Sequence, residues 1–326
     1  MRVSALAVSV AATIGLAAGQ GPAAAYTVYV SNEKGNSITV LDSTTLEVLE
    51  TIPVGMRPRG IILTNDDKHL LICASDEDTV QVLDVNSHEI VGDLPSGPDP
   101  ELLDLHPSGS PVYVANEDDN LLTVIDLADK KVLAEVEVGV EPEGVGASPD
   151  GKTVVVTSET TNMAHFIDTE SYEITDNVLV GSRPRFAEFT SDGTRLWVTS
   201  EVAGVLSVID AKTRKIIKVI GFAIPGVQPE HIQPVGVRVT KDGSKAFVAL
   251  GPANRVAVID AKTLEVEKYL LVGQRVWQLA FTPDEKQLFV TNGNSNDVSV
   301  IDVPSLTVVK SIPVGTAPWG VAISRQ

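Results

Sequence analysis

Aspartate recurs at positions 42, 84, 126, 168, 210, 260 and 302, each time ending a V-I-D triplet or a close variant of it. Successive spacings are 42, 42, 42, 42, 50 and 42 residues. A fixed period of this size marks a repeat architecture, in which each unit buries its apolar faces only by stacking on its neighbours. Seven units averaging about 43 residues match the length of a four-stranded propeller blade. The one long interval implies an insertion of eight residues within 222–233 (FAIPGVQPEHIQ).

Turn chemistry divides each unit into four strands. In the second unit, residues 60–64 (GIILT) and 70–74 (LLICA) are separated by the turn Asn65-Asp66-Asp67-Lys68. An acidic loop at 75–78 leads to 79–84 (TVQVLD), whose strict alternation is that of a half-buried strand, and a fourth strand follows near 89–94. Equivalent first turns carry Gly151, Gly193 and Gly243, which supply the φ > 0 position of a tight hairpin. Thr45, Thr213 and Thr263 stand three residues after their aspartates, which suits an Asx turn and makes the seven recurrent carboxylates structural. The chain opens on the second strand type (Val28–Val30) and ends on the first (Trp319–Ser324). The two termini therefore complete one blade together and remove the exposed edges of an open sheet. The predicted fold is all-β: a seven-bladed β-propeller of four-stranded antiparallel blades, forming one domain over residues 26–326.

Residues 1–25 contain a single charged side chain, Arg2, then an apolar stretch to about Ala18 and the run Ala23-Ala24-Ala25. This pattern predicts a cleaved signal peptide and a periplasmic protein with no membrane insertion after cleavage. Composition narrows the partners. A net charge of −18 argues against nucleic acid, and the single cysteine, Cys73, excludes a disulfide framework. A hydrophobic content of 43% is enough to fill a core.

The segments Tyr29-Val30-Ser31-Asn32, Tyr113-Val114-Ala115-Asn116 and Phe289-Val290-Thr291-Asn292, each followed by the V-I-D element, resemble the YVTN family of β-propeller repeats. Behind a signal peptide, seven such units look most like the exported propellers associated with PQQ-dependent alcohol catabolism. That resemblance implies an accessory, non-catalytic role beside a quinoprotein dehydrogenase or a c-type cytochrome. It leaves PQQ, or a calcium or lanthanide ion, as candidate cofactors and the oligomeric state open. Seven-bladed lactonases also resemble these repeats, which keeps sugar-lactone hydrolysis as an alternative, with Glu143 or Glu159 beside Arg185 or His231 as the candidate acid–base group. The histidines share no metal-ligand spacing, and no Ser or Cys stands in a nucleophile motif.

The blade connections are where equivalent positions differ most. They read Arg57-Pro58-Arg59, Asp99-Pro100-Glu101, Glu141-Pro142-Glu143, Arg183-Pro184-Arg185, Gln233-Pro234-Val235, Arg275-Val276-Trp277 and Ala317-Pro318-Trp319. Residues flanking the proline are two apart and are expected on one side of an extended chain. Three readings follow. Trp277 and Trp319 with Arg57, Arg59, Arg185 and Arg275, joined by Glu230, His231 and Gln233 of the inserted loop, would hold a planar polyanion or a protein partner. Asp99, Glu101, Glu141 and Glu143, helped by Glu117 and Glu159, would gather a hard cation. Alternatively, acids and arginines on adjacent blades neutralise one another as rim salt bridges, with the tryptophans capping the channel.

Overall fold

The computed structural model describes residues 25–325. The predicted signal segment, apart from Ala25, lies outside them. Seven four-stranded antiparallel sheets are arranged as blades, and the strand order within each blade follows the chain except where the ring closes. There the last strand, Pro318–Ile323, pairs with the first, Thr27–Asn32, in the register Val28↔Ile323, Tyr29↔Ala322 and Val30↔Val321. The innermost strands of successive blades pack side by side around the whole ring. Glycine makes the approach close: a Cβ on Gly60 would lie 2.4 Å from the Glu101 carbonyl oxygen, and one on Gly320 would lie 2.5 Å from that of Arg59.

The core lies between blades. Second and third strands are buried on both faces, so they read as near-continuous Val, Ile and Leu rather than as strict alternation. Tyr29, Ile38, Val40, Leu63, Leu70 and Ile72, for example, form one layer shared by two adjacent sheets. Outermost strands such as Val48–Pro53 show one buried residue, Ile52, in an otherwise exposed run. Cys73 sits fully buried in such a layer, and burial pushes its thiol pKa well up, as suits a small apolar side chain rather than a nucleophile.

The recurrent aspartates are Asx turns. Asp42 Oδ1 accepts the amides of Thr44 and Thr45 at 2.7 Å, and Asp210 and Asp260 repeat the pattern. A second repeated device sits on the connection face. The first residue of six connections adopts a left-handed backbone, with φ of 53° at Arg57, 58° at Glu141 and 57° at Arg183 and Arg275. The amide of each is accepted by an Asn or Asp side chain 21 residues earlier: Asn36 to Arg57, Asp78 to Asp99, Asn120 to Glu141, Asn162 to Arg183, Asn254 to Arg275 and Asn296 to Ala317. The acceptors themselves are left-handed, a conformation Asn and Asp tolerate best. In the blade that carries the insertion, Gly204 occupies the acceptor position.

Candidate functional site

The left-handed residue alters the expected geometry of each connection. A chain that turns at its first residue does not keep flanking residues on one side, so the two positions form separate tiers. Arg57 and Arg183, at the first position, have side chains 26% and 48% exposed; Arg59 and Arg185, at the second, have 10% and 3%. The inner tier lies at the head of the innermost strands and converges on the axis.

In that inner tier Arg59 Nη1 donates to Glu101 Oε1 at 2.5 Å and its guanidinium reaches Glu143 at 3.8 Å. Arg185 pairs with Glu143 at 2.8 Å, with Glu159 and, at 3.7 Å, with Glu201. The remainder of the ring is aromatic. Arg59 lies 4.6 Å from the Trp319 ring centroid, Trp277 packs on Trp319 at 6.1 Å, and Arg275 covers Trp277 at 3.9 Å. Trp319, Glu101, Glu143 and Arg185 are all buried, and together they close the channel at this end.

The outer tier continues the lattice. Arg57 binds Asp76 at 2.6 Å and also Asp99, while Arg183 binds Glu159 at 2.7 Å. Arg275 donates to Glu201 at 2.7 Å and to Gln233 at 2.8 Å. The expected acid–arginine compensation is therefore present, but it is buried rather than confined to the rim. The energetics change accordingly: in a buried pair each charge has lost its water, and loss of one partner strands the other. Burial alone would lower the Arg185 pKa, yet Glu143, Glu159 and Glu201 hold it above the ordinary guanidinium range. Burial raises Glu101 well above the carboxylate range despite Arg59, with Glu143, Glu117 and Asp99 adding to the rise, and it raises Glu159 to about 7.

The cation reading finds part of its set. Oxygens of Asp99, Glu101 and Glu117 lie within 4.8 Å of one another, and Glu143 acts electrostatically on Glu101 and Glu117. Glu141 turns away to accept the Thr160 hydroxyl. Two oxygens of the set are already held by Arg59 and Arg57, so a hard cation would find three or four protein ligands and need water for the remainder. The residues do not fit a planar polyanion. All five arginines named above are bound to carboxylates, and Trp319 is buried between Arg59 and Trp277.

The inserted loop packs Phe222, Ile224 and Val227 onto the core and buries Ile232, leaving Glu230 and His231 exposed. Gln233 ties it to the lattice, since its amide nitrogen donates to the Glu230 carbonyl and its oxygen accepts from Arg275. Beside it, Val276 replaces the usual proline and donates its amide to Gly251 at 3.1 Å, a bond proline lacks the hydrogen to make. His165 is buried in a strand, where it accepts the Gly139 amide and meets Asn177 and Ser158.

Two cavities were not foreseen from the sequence, although Glu117, Glu141 and Glu159 of the first were among its candidate residues. On the connection face, Glu117, Glu141, Glu159, Thr160, Asn162, Arg183 and Val202 line an open depression of about 420 Å³. At the opposite end a cavity of about 490 Å³ occupies the channel, and it contains Asp104, Glu188 and Arg238. These three stand at one repeat position, where the other units carry Ile62, Gly146, Ala280 and Ala322. That contrast was visible in the repeat alignment.

A family model described as a YNCE-like beta-propeller matches residues 8–101, and one described as a choice-of-anchor I domain matches residues 120–281. With the seven blades, these matches fit a YVTN-type propeller. No curated protein matches the chain. Among solved structures, hydrazine synthase of Kuenenia stuttgartiensis is similar with a TM-score of 0.76 and 23% identity over 85% of this chain and 92% of that one. A protein of unknown function from Desulfotomaculum acetoxidans gives 0.78 and 17% over 91% and 98%. Dihydro-heme d1 dehydrogenase in complex with DHE gives 0.67 and 18% over 90% and 74%. At these identities the likeness is one of fold, and function has to be argued from the site.

Proposed function

We propose that this is an exported, non-catalytic binding propeller whose connection face docks a basic protein partner. The supporting observation is the state of the channel mouth: Arg59, Arg185, Glu101, Glu143 and Trp319 are buried and engaged with one another or with Trp277, so recognition falls to what projects beyond them. What projects is acidic and locally apolar. Glu117 and Glu141 border the open depression, where the buried Glu159 is paired with Arg183, and Val140 and Val202 stand beside it at 44% and 64% exposure. Asp76, Glu77, Asp118 and Asp119 extend the negative field over the same loops. A partner lysine or arginine entering the depression would gain charge complementarity, while the valines supply apolar contact. The partner class that best fits an exported YVTN-type propeller is a periplasmic quinoprotein dehydrogenase or c-type cytochrome of a PQQ-dependent alcohol oxidation system.

Hydrolysis is less well supported, because Glu143 and Glu159 are both ion-paired to Arg185 and His231 sits on the exposed inserted loop. The test is affinity for the candidate partners at low salt. Val202→Lys, which places a cation at the rim of the depression, is expected to weaken binding at least tenfold, with rising salt weakening the wild type. Unchanged affinity in the variant would remove this face from the proposal.

A further inference from the structure

We propose that the channel cavity on the turn face is a binding site for an organic ammonium with an apolar body, distinct from the partner-docking face and not resting on that reading. The cavity measures about 490 Å³, within the size range of small-molecule sites. Its walls include Ile61, Leu102, Val145, Phe186, Val239 and Val321, which suit a hydrocarbon or aromatic body. The charged groups on its innermost strands are two carboxylates and one guanidinium, from three of the seven strands, and Lys241, Glu285 and Arg325 stand on the turns at its mouth.

The existing contacts decide the sign of the ligand. Arg238 is committed: its Nη1 donates to Glu188 Oε2 at 2.9 Å and to the Val237 carbonyl at 3.1 Å, and its guanidinium lies 4.6 Å from the Phe186 ring centroid. An anion would have to share Arg238 with Glu188 and would meet the negative charge of Glu188 and Asp104 beside it. Asp104 is fixed by two backbone amides, Leu105 to Oδ1 and Ala147 to Oδ2, both at 2.8 Å, so its charge is held in place rather than free to swing away. With all three groups ionised the cluster carries one uncompensated negative charge at buried positions, where charge–charge interactions are strengthened. Burial raises both carboxyl pKa values, and Asp104 adds to the rise at Glu188, as expected where negative charge exceeds its compensation. A cationic ligand head supplies what is missing. The fixed amides on Asp104 argue against a metal ion, which would compete with them for both oxygens.

Cations at the cavity mouth do not cancel the surplus. Each is matched by a carboxylate: Glu285 lines the mouth and accepts the Lys241 amide at 2.8 Å while Lys241 Nζ donates to the Pro283 carbonyl, and Arg325 is paired with Asp67 and donates to the Thr64 carbonyl. Both are anchored to turns.

Isothermal titration of the mature chain at pH 8 and low salt tests the site, with benzylammonium and hexylammonium as probes and benzyl alcohol and benzoate as isosteres. Saturable binding of both ammonium probes is expected, with benzyl alcohol at least tenfold weaker and benzoate without measurable heat. Glu188→Gln, verified as folded by its circular dichroism and thermal transition, is expected to lose at least tenfold in ammonium affinity. Val202→Lys is expected to bind the probes as the wild type does, which separates this site from the docking face. Should Glu188→Gln fail to fold, Ala280→Leu, which narrows the cavity without touching a charge, is expected to weaken both ammonium probes. Absence of ammonium binding to the folded wild type, or preference for benzoate, would overturn the proposal.

Discussion

Arg57 and Arg185 occupy neighbouring positions of the same repeat motif and have different consequences for stability. Arg185 is almost wholly buried and serves Glu143, Glu159 and Glu201, so Arg185→Met leaves several buried carboxylates without their cation. The expected cost is about 3–5 kcal/mol, read from denaturant unfolding. Arg57 lies in the outer tier against Asp76 and Asp99, where water shares the work, and Arg57→Met should cost only about 0–1 kcal/mol. Equal losses at the two positions would contradict the division into buried and exposed tiers. That division was not legible from the connections, because the spacing of two residues was read as extended chain. The left-handed residue at the head of six of the seven connections sends the second side chain toward the axis, and only ring closure brings those side chains together.

At the level of the element, the loop after the second strand and the next blade connection are one unit in six of the seven blades, joined by an Asn or Asp side chain that accepts an amide 21 residues away. Asn120→Ala removes the acceptor for Glu141 and places Ala in a left-handed backbone, at φ 59°. A loss of about 1–3 kcal/mol is expected, part of it from the unsatisfied amide and part from the backbone. Asn120→Gly, which relieves only the backbone component, should cost less. If the two variants unfold together, the acceptor hydrogen bond carries the effect alone. The strands, their turns and the recurrent Asx aspartates were legible because they rest on local chemistry repeated seven times. The Asn-to-connection bond was not, since it joins residues of different blades and needs their relative placement.

Over the whole molecule, two populations of carboxylate set opposite pH limits. Burial raises Glu159 to about 7, against the pull of Arg185, and raises Glu101, Glu117 and Asp99 as well. These groups bind a proton more tightly folded than unfolded, so their contribution is complete below the ordinary carboxylate range and is lost as pH rises through the folded value. Turn aspartates behave in reverse. Asp66 and Asp242 are lowered to about 2, chiefly by the Thr64 and Thr240 hydroxyls, and their contribution is lost as pH falls through that value. The unfolding midpoint should therefore peak between about pH 4 and 6 and decline toward pH 8. A midpoint that climbs steadily from pH 5 to 8 would contradict the raised values at the mouth.

The same scale explains what could be foreseen of function. Seven-fold register made the ring and its closure readable, and it singled out the connection face as chemically uneven. Whether those charges face a ligand or one another depends on convergence at the axis, which no single unit encodes. Asp104, Glu188 and Arg238 break a repeat position that is otherwise small or apolar, but that the position faces the channel is set by the ring and not by any one unit.

Hydrogen exchange of the protein, alone and with a saturating periplasmic quinoprotein dehydrogenase or c-type cytochrome, tests the docking proposal most directly. Added protection is expected at residues 56–57, 117–120, 140–141, 159–162 and 202–204 and in the inserted loop, with the hairpin turns around Gly151, Gly193 and Gly243 unchanged. Protection confined to those turns, or none with either partner class, would contradict it.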